Sequence, residues 1–228
     1  MPTFTSADYS AIYLSLKVAV MSTLLSLPFG VAAAWLMTFR RFRGKMLLDL
    51  LINLPLTLPP VVIGYLLLLL LGQNGWLGRH LLNPLGIRLI FTWKAAVIAT
   101  AVVGFPLMVR SIRIGMEGIN EGLIQASRTL GAGAIDSLLT IIIPLSFRGI
   151  LAGSALMFAR GLGEFGATII VAGNIPGVTQ TIPLAIFDYT GSPNGDVMAL
   201  ALCLVSISIS VAILLFHEYL CRRLERRD

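Results

Sequence analysis

Five long apolar runs constrain this chain more than any other feature of its sequence. A helix needs about 20 apolar residues to cross the hydrocarbon core of a bilayer. Each run is close to that length or longer, and 57% of all residues are apolar whereas only 12% are charged. The runs cover residues 15–39, 46–71, 91–109, 149–172 and 197–221. We therefore predict one all-α transmembrane domain, residues 1–228, with about five membrane-spanning helices.

Positive charges are unevenly distributed among the segments that connect these runs. One set of loops and the C-terminal tail carry Arg40, Arg41, Arg43, Lys45, Arg110, Arg113, Arg128, Arg148, Arg222, Arg223, Arg226 and Arg227. The opposite set carries only Arg79, Arg88 and Lys94. Because cytoplasmic loops are enriched in Lys and Arg, we predict an N-terminus outside the cell and a cytoplasmic C-terminus. The net charge of +6 is thus explained by topology and does not indicate nucleic-acid binding.

The segment between the third and fourth runs, about residues 117–144, is too polar to lie in lipid. Its apolar residues recur at the spacing i, i+4, i+7 and i+11, at Ile119, Leu123, Ala126 and Leu130. This spacing predicts a short amphipathic helix, and Gly131 directly after it suits a left-handed helix end. The segment faces the cytoplasm in the predicted topology. We interpret it as a docking helix for a partner, with an ordinary interfacial helix as the alternative.

The second run is interrupted by prolines. Pro55, Pro59 and Pro60 fall within six positions and cannot all lie in a regular helix. Irregular backbone at membrane depth is tolerated inside protein or beside a water-filled cavity. This run is therefore a candidate for lining a translocation path, and a kinked packing helix with Gly64 at a close contact is the alternative.

The fourth run carries two charges near its middle. Arg160 and Glu164 are four residues apart, which makes them neighbours on one side of a helix. A charge at the bilayer centre costs at least about 2.5 to 3.5 kcal/mol, so each must be paired or face a polar cavity. Either the two form a structural ion pair, which we favour, or Arg160 contributes positive potential to an anion path. A stripe of small residues, Ala155, Ala159, Gly163 and Ala167, predicts close packing beside them.

The loop at residues 173–196 is rich in turn-forming residues and has a long apolar middle. It either dips back into the membrane or rests on the membrane surface, and the sequence leaves both alternatives open.

The apolar runs offer no catalytic machinery. They contain no paired carboxylates, no histidine cluster and no Ser or Cys beside a base. His80 and His217 are isolated, so we expect no metal site and no cofactor. The phosphate-binding pattern Gly-x-x-x-x-Gly-Lys-[Ser/Thr] is also missing. We therefore predict that the chain is not itself an enzyme, which leaves a transporter subunit, a passive channel or a membrane scaffold.

The cytoplasmic segment resembles the EAA loop of ABC importer permeases, Glu-Ala-Ala, three residues, Gly, nine residues, Ile-x-Leu-Pro. The matching positions are Gln125, Ala126, Ser127, Gly131, Ile141, Ile143 and Pro144. All spacings are kept, while Gln replaces Glu, Ser replaces the second Ala, and Ile replaces Leu. Four further segments are similar to the molybdate permease subfamily of these importers, which is related to the sulfate permeases. They are LPLTLPPVVIGYLLL (54–68), FPLMVRSIR (105–113), FARGLGEFGAT (158–168) and NIPGVTQTIP (174–183).

The resemblance implies a permease of the bacterial cytoplasmic (inner) membrane that moves molybdate by ATP-driven alternating access. Sulfate and tungstate are the alternative cargoes. The implied partners are a second copy of the chain, two cytoplasmic ATPase subunits, an extracytoplasmic oxyanion-binding protein and membrane lipid. For coupling to the ATPase, the implied residues are Glu121, Gln125, Ala126, Ser127, Leu130, Gly131 and Pro144. As candidates for the translocation path we name Thr57, Pro59, Pro60, Gly64, Arg160, Glu164 and Thr168.

Overall fold

The structure is a computed structural model that describes residues 4–82 and 84–225. Within these residues the chain is largely helical and forms no strand, as predicted. The helices are α1 (Ser6–Phe39), α2 (Lys45–Thr57), α3 (Pro60–Leu71), α4 (Trp93–Glu117), α5 (Glu121–Thr129), α6 (Ala134–Ser137), α7 (Ile143–Leu145), α8 (Phe147–Leu162), α9 (Gly166–Val171), α10 (Ile182–Thr190) and α11 (Asp196–Glu225). Two short π-helical turns, Gly78–Leu82 and Leu138–Ile142, supplement them.

Three helices, α1, α4 and α11, are long and apolar enough to cross a membrane. Two further segments reach that length only as bent pairs of helices: α2 with α3, and the segment Ala134–Leu145 with α8. Counting each bent pair as one span gives five spans, the number that the sequence predicts.

The second apolar run is folded as two helices rather than one. The bend between α2 and α3 is 116°. Leu58 is extended because a residue that precedes a proline is driven out of the helical region. Pro60 then begins α3, at the helix position where a proline costs no hydrogen bond. The prolines thus produce a sharp turn where the sequence predicts an interruption. Helix α2 buries none of its own residues.

The fourth apolar run, residues 149–172, is also not one continuous helix. Helix α8 ends at Leu162, and α9 begins at Gly166. Glycine costs about 1 kcal/mol relative to alanine inside a helix, and Gly161, Gly163 and Gly166 lie at or beside the break. A second bend of 73° precedes α8 at Ser146, whose hydroxyl donates to the carbonyl of Ile142 at 2.6 Å. The fourth run therefore contains one break, and a sharp bend lies just before it.

Helix α4 lies at the centre of the packing. Of its apolar stretch 61% is buried, compared with 11% for α11, which is peripheral as predicted. The backbones of α4 and α8 touch where Gly115 meets Gly149, because a Cβ added to Gly115 would lie 2.9 Å from the Cα of Gly149. Close backbone contact of this kind fixes the position of α8, and with it the segment Ala134–Leu145 that leads into α8.

The loop at residues 173–196 is folded onto the helical core. Its helix α10 packs against α1 and α11, and the Ile182 amide donates to the Ser15 hydroxyl at 2.7 Å. The Tyr189 hydroxyl donates to Asp8 at 2.8 Å. Burial and the adjacent Asp8 carboxylate raise the pKa of Tyr189.

Candidate functional site

Helix α5 is a short helix with well-defined ends. The Asn120 side chain accepts from the Gly122 amide at 2.8 Å and so caps the helix start. The helix ends at Thr129, and Gly131 has a φ of +90°, which confirms the predicted left-handed turn. Few residues other than glycine adopt this conformation without strain.

One side of α5 is anchored to the rest of the chain. Ile124 is buried in a cluster with Met116 and Ile142. The Ser127 hydroxyl donates to the Ile124 carbonyl at 2.8 Å and lies 2.9 Å from the Ser137 hydroxyl. Ser127, which departs from the motif's Ala, therefore connects α5 to the segment Ala134–Leu145.

The apolar stripe predicted for this helix is divided in the structure. Ile119 is buried in the chain's own core, so the expectation that it belongs to the docking stripe is wrong. Leu123, Ala126 and Leu130 are exposed, and Leu130 is 88% exposed. The helical spacing of a stripe does not reveal which of its members pack on the same chain. We call Leu123, Ala126 and Leu130 the docking face, because an exposed apolar face on an anchored helix is suited to a protein partner.

The opposite side of α5 borders a cavity of about 360 Å³, which we call the basic pocket. Its charged and polar walls are Glu121, Gln125 and Arg128 from α5, with Arg41 and Lys45 from the α1–α2 corner. In the sequence alone, Arg41 and Lys45 indicate only the topology of the chain. The short spacing between Phe39 and Lys45 already placed a cluster of cations at one corner, but nothing local indicated that this corner lies beside α5.

Pro144 lies in the short helix α7, at the bend that leads into α8, and it is exposed. The hydrogen bond from Ser137 holds α5 to the beginning of this same segment. The structure therefore connects Ser127 to the start of α8 through a continuous run of helical turns. Pro144 lies in the last of these turns.

Arg160 and Glu164 form an ion pair with an N···O distance of 2.8 Å across the break between α8 and α9. The Glu164 side chain is 1% exposed and that of Arg160 is 33% exposed. The second carboxylate oxygen of Glu164 accepts from the Ala167 amide at 2.9 Å, which caps the start of α9. The predicted pairing is present, and this double engagement of Glu164 favours the structural interpretation.

The remaining path candidates lie in two different environments. Gly64 of α3 packs against α9, since a Cβ at this position would lie 2.8 Å from the carbonyl oxygen of Ala167. Pro60 also contacts α9, beside Gly166, and Thr168 is buried. Thr57 and Pro59 are exposed at the turn between α2 and α3. The structure thus brings Pro60, Gly64 and Thr168 together at a helix contact, and their role in a path stays a prediction.

The sequence matches the family described as binding-protein-dependent transport system inner membrane component over residues 26–226. It is 49% identical over 218 residues to the molybdenum transport system permease protein ModB of Escherichia coli (strain K12), a match that covers 96% of this chain and 95% of that protein. It is 50% identical over 220 residues to ModB of Haemophilus influenzae, with 96% of each chain covered. The sulfate transport system permease protein CysW of Synechococcus elongatus is 40% identical over 176 residues, which cover 77% of this chain and 61% of that protein.

Among solved structures, the fold is similar to a chain of the MetNI methionine ABC transporter in an inward-facing conformation. The TM-score is 0.74, the sequence identity is 14%, and the match covers 93% of this chain and 94% of that chain. At this identity the similarity shows the fold alone.

Proposed function

Because the chain belongs to the family of binding-protein-dependent transport system inner membrane components, we propose that it is the permease subunit of an ABC importer that carries molybdate into the cell. The observation that supports this cargo is the identity of about one half to two molybdenum permeases over nearly the full length of each chain. Sulfate is the second candidate, supported by the shorter and less similar match to a sulfate permease.

The proposed complex contains two copies of this chain, two cytoplasmic ATPase subunits and an extracytoplasmic protein that delivers the oxyanion. A separate ATPase is needed because the chain contains no Gly-x-x-x-x-Gly-Lys-[Ser/Thr] sequence. The subunit therefore carries no hydrolytic activity of its own. A second copy and lipid would cover the apolar surfaces of α2 and α11, which lie largely outside the described core.

The proposed orientation has the N-terminus outside and α5 in the cytoplasm, where it meets the ATPase. This orientation is supported by the positive charges at the α1–α2 corner, around α5 and at the C-terminus. In it, the docking face of α5 points away from its own chain toward the cytoplasmic partner.

Coupling would proceed through the contacts that anchor α5. ATP-driven closure of the ATPase dimer would push on the docking face, and the Ser127–Ser137 hydrogen bond would transmit that displacement to the segment Ala134–Leu145. The bend at Pro144 and Ser146 would then convert this displacement into a reorientation of α8, which carries Arg160, the partner of Glu164. Alternation between outward-facing and inward-facing cavities would follow.

The path of the anion would run beside Thr57, Pro59, Pro60, Gly64, Arg160, Glu164 and Thr168. A permease for a dianion need not bind its cargo tightly, since a deep energy well would trap the ion. We therefore assign the choice between molybdate, tungstate and sulfate to the binding protein. Exchange of the permease alone should leave the transported anion unchanged.

Uptake of labelled molybdate into proteoliposomes containing the chain, its ATPase and its binding protein tests the proposed function. We expect ATP-dependent uptake that unlabelled tungstate reduces and excess sulfate does not. Equal competition by sulfate would establish the broader oxyanion assignment, and no uptake by an intact complex would refute the importer.

The docking face is tested in the same complex. Leu130→Asp should abolish co-purification of the ATPase, because it places a charge in an apolar contact. Leu85→Asp changes a similarly exposed leucine in the loop between α3 and α4, and it should leave the complex intact.

A further inference from the structure

The basic pocket has an excess of positive charge. Arg41, Lys45 and Arg128 contribute three cations and Glu121 contributes one carboxylate, which leaves an excess of two positive charges. None of these four groups takes part in an ion pair among the described residues. Uncompensated cations around one concave site favour an anionic ligand.

A buried polar group of the same pocket is also without a partner. The hydroxyl oxygen of Thr38, which lines the pocket, is buried and forms no hydrogen bond within the described chain. Buried polar atoms are nearly always hydrogen-bonded, so this hydroxyl lacks a partner that a ligand in the pocket would supply. A hydroxyl donor beside guanidinium and ammonium groups is a suitable set of partners for the oxygens of a phosphate.

The position of the pocket indicates which class of anionic ligand it binds. It lies where the long apolar helix α1 ends, and Phe39 and Ile124 give it an apolar wall. Nearby, the Arg40 guanidinium stacks at 5.1 Å from the ring centre of Trp35, an aromatic and cationic pair typical of a membrane interface. In the orientation of the proposed function, on which this step rests, the pocket is at headgroup depth in the cytoplasmic leaflet.

A ligand in the basic pocket would leave the docking face free. At 100° per residue, Glu121, Gln125 and Arg128 share one side of α5, and Leu123, Ala126 and Leu130 lie on the other side. The position that is Glu in the motif is Gln125 here, so the pocket has one carboxylate where the motif would supply two. That departure strengthens the attraction for an anion.

We infer that the basic pocket binds the phosphate group of an anionic phospholipid, of the phosphatidylglycerol type, in the cytoplasmic leaflet. The headgroup joins the α1–α2 corner to α5, so it holds α5 against the membrane while the docking face engages the ATPase. Clusters of Lys and Arg at the cytoplasmic surface recognise such lipids at other membrane proteins.

Native mass spectrometry of the detergent-purified complex, titrated with phosphatidylglycerol or with phosphatidylcholine of the same acyl chains, tests this inference. The complex should retain phosphatidylglycerol preferentially. Each cation removed should weaken its binding about fivefold, so Lys45→Gln combined with Arg128→Gln should weaken it roughly 25-fold. The matched control is Arg43→Gln, which removes an exposed cation of the same corner that does not line the pocket, and it should preserve the preference.

A further variant, Gln125→Glu, tests the inference independently in case the double variant does not fold. Gln125→Glu adds a carboxylate to the pocket and should weaken phosphatidylglycerol binding about fivefold, while phosphatidylcholine binding stays unchanged. An unaltered phosphatidylglycerol preference in both variants would overturn the inference. Displacement of the lipid by millimolar inorganic phosphate or molybdate would also overturn it, because the pocket would then recognise a free oxyanion. These binding measurements need no transport, so they can fail while molybdate uptake succeeds, and the reverse.

Discussion

The hydroxyl oxygens of Ser127 and Ser137 lie 2.9 Å apart, although ten residues separate them in the sequence. Because the Ser127 hydroxyl donates to the Ile124 carbonyl, the proton of the shared bond comes from Ser137. Both side chains are buried. This side-chain hydrogen bond joins α5 to the segment that leads into α8.

Removal of both hydroxyls should destabilise the protein by less than the sum of the two single removals. Ser137→Ala and Ser127→Ala each remove the hydrogen bond between the two buried hydroxyls. Each should lower the free energy of unfolding by about 1 to 2 kcal/mol. The double variant should cost less than the sum of the single variants, which unfolding of the purified protein in detergent can measure. We also expect each single variant to hydrolyse more ATP per molybdate transported. Strictly additive unfolding energies would show that the two hydroxyls do not interact.

A side chain at Gly131 should impair the protein because of the backbone conformation at this position, and not because of a steric clash. No atom lies within 4 Å of a Cβ built at Gly131, but its φ is +90°. Gly131→Val should therefore disturb the end of α5 by about 1 to 2 kcal/mol and uncouple ATPase activity from uptake. Gly131→Asn, which tolerates this region better, should retain more transport. Gly133→Val is the control, because Gly133 has equal space and a φ of −70°.

Gly64 should tolerate no side chain. A Cβ would lie 2.8 Å from the Ala167 carbonyl oxygen and 2.9 Å from the Ala167 Cα, so Gly64→Ala must push α3 away from α9. We expect a loss of about 1 to 3 kcal/mol in unfolding free energy. Gly163→Ala adds the same methyl group where the nearest atom is 4.0 Å away, and it should be nearly neutral. Equal stability of the two variants would argue against the close helix contact.

The two partners of the buried ion pair should respond unequally to neutralisation. Arg160→Gln leaves the carboxylate of Glu164, only 1% exposed, without a cation, and should cost about 3 to 5 kcal/mol. Glu164→Gln leaves Arg160, which is 33% exposed and partly hydrated, and keeps an acceptor for the Ala167 amide. Thermal unfolding should therefore rank Arg160→Gln as the less stable variant. The reverse ranking would show that Arg160 is the more deeply desolvated partner.

Local chemistry explains which sequence predictions were correct. The end of α5 at Gly131 and the pairing of Arg160 with Glu164 depend on residues only a few positions apart, so sequence spacing was sufficient. The break at Gly163 has a local signal as well, because the glycines of GLGEFG (161–166) suggest tight packing or a hinge beside the ion pair. Features of this kind can be predicted from sequence because the backbone hydrogen bonds of a helix join residues that are close together in the chain.

The features that sequence did not predict depend on contacts between distant segments. Ile119 has the same apolar character as Leu123, yet it is buried in a core cluster that includes residues of α4 and α8. Arg41 and Lys45 lie about 80 residues from Glu121 and Gln125 in sequence, and only the packing of the α1–α2 corner beside α5 forms one pocket from them. Hydrophobic periodicity gives the faces of a helix but not the neighbour that each face meets.

Helix α2 buries none of its residues, and a side-chain ion pair of 3.6 Å between Asp49 and Arg113 joins it to α4. The free energy of local unfolding of α2 therefore depends mainly on the lipid, detergent or subunits around the protein, and only weakly on the protein's own core. Amide hydrogen exchange in α2 should be fast in dilute detergent and slow in a membrane that holds the assembled transporter. The ratio of these two exchange rates reports how much of this subunit's stability is supplied from outside the chain.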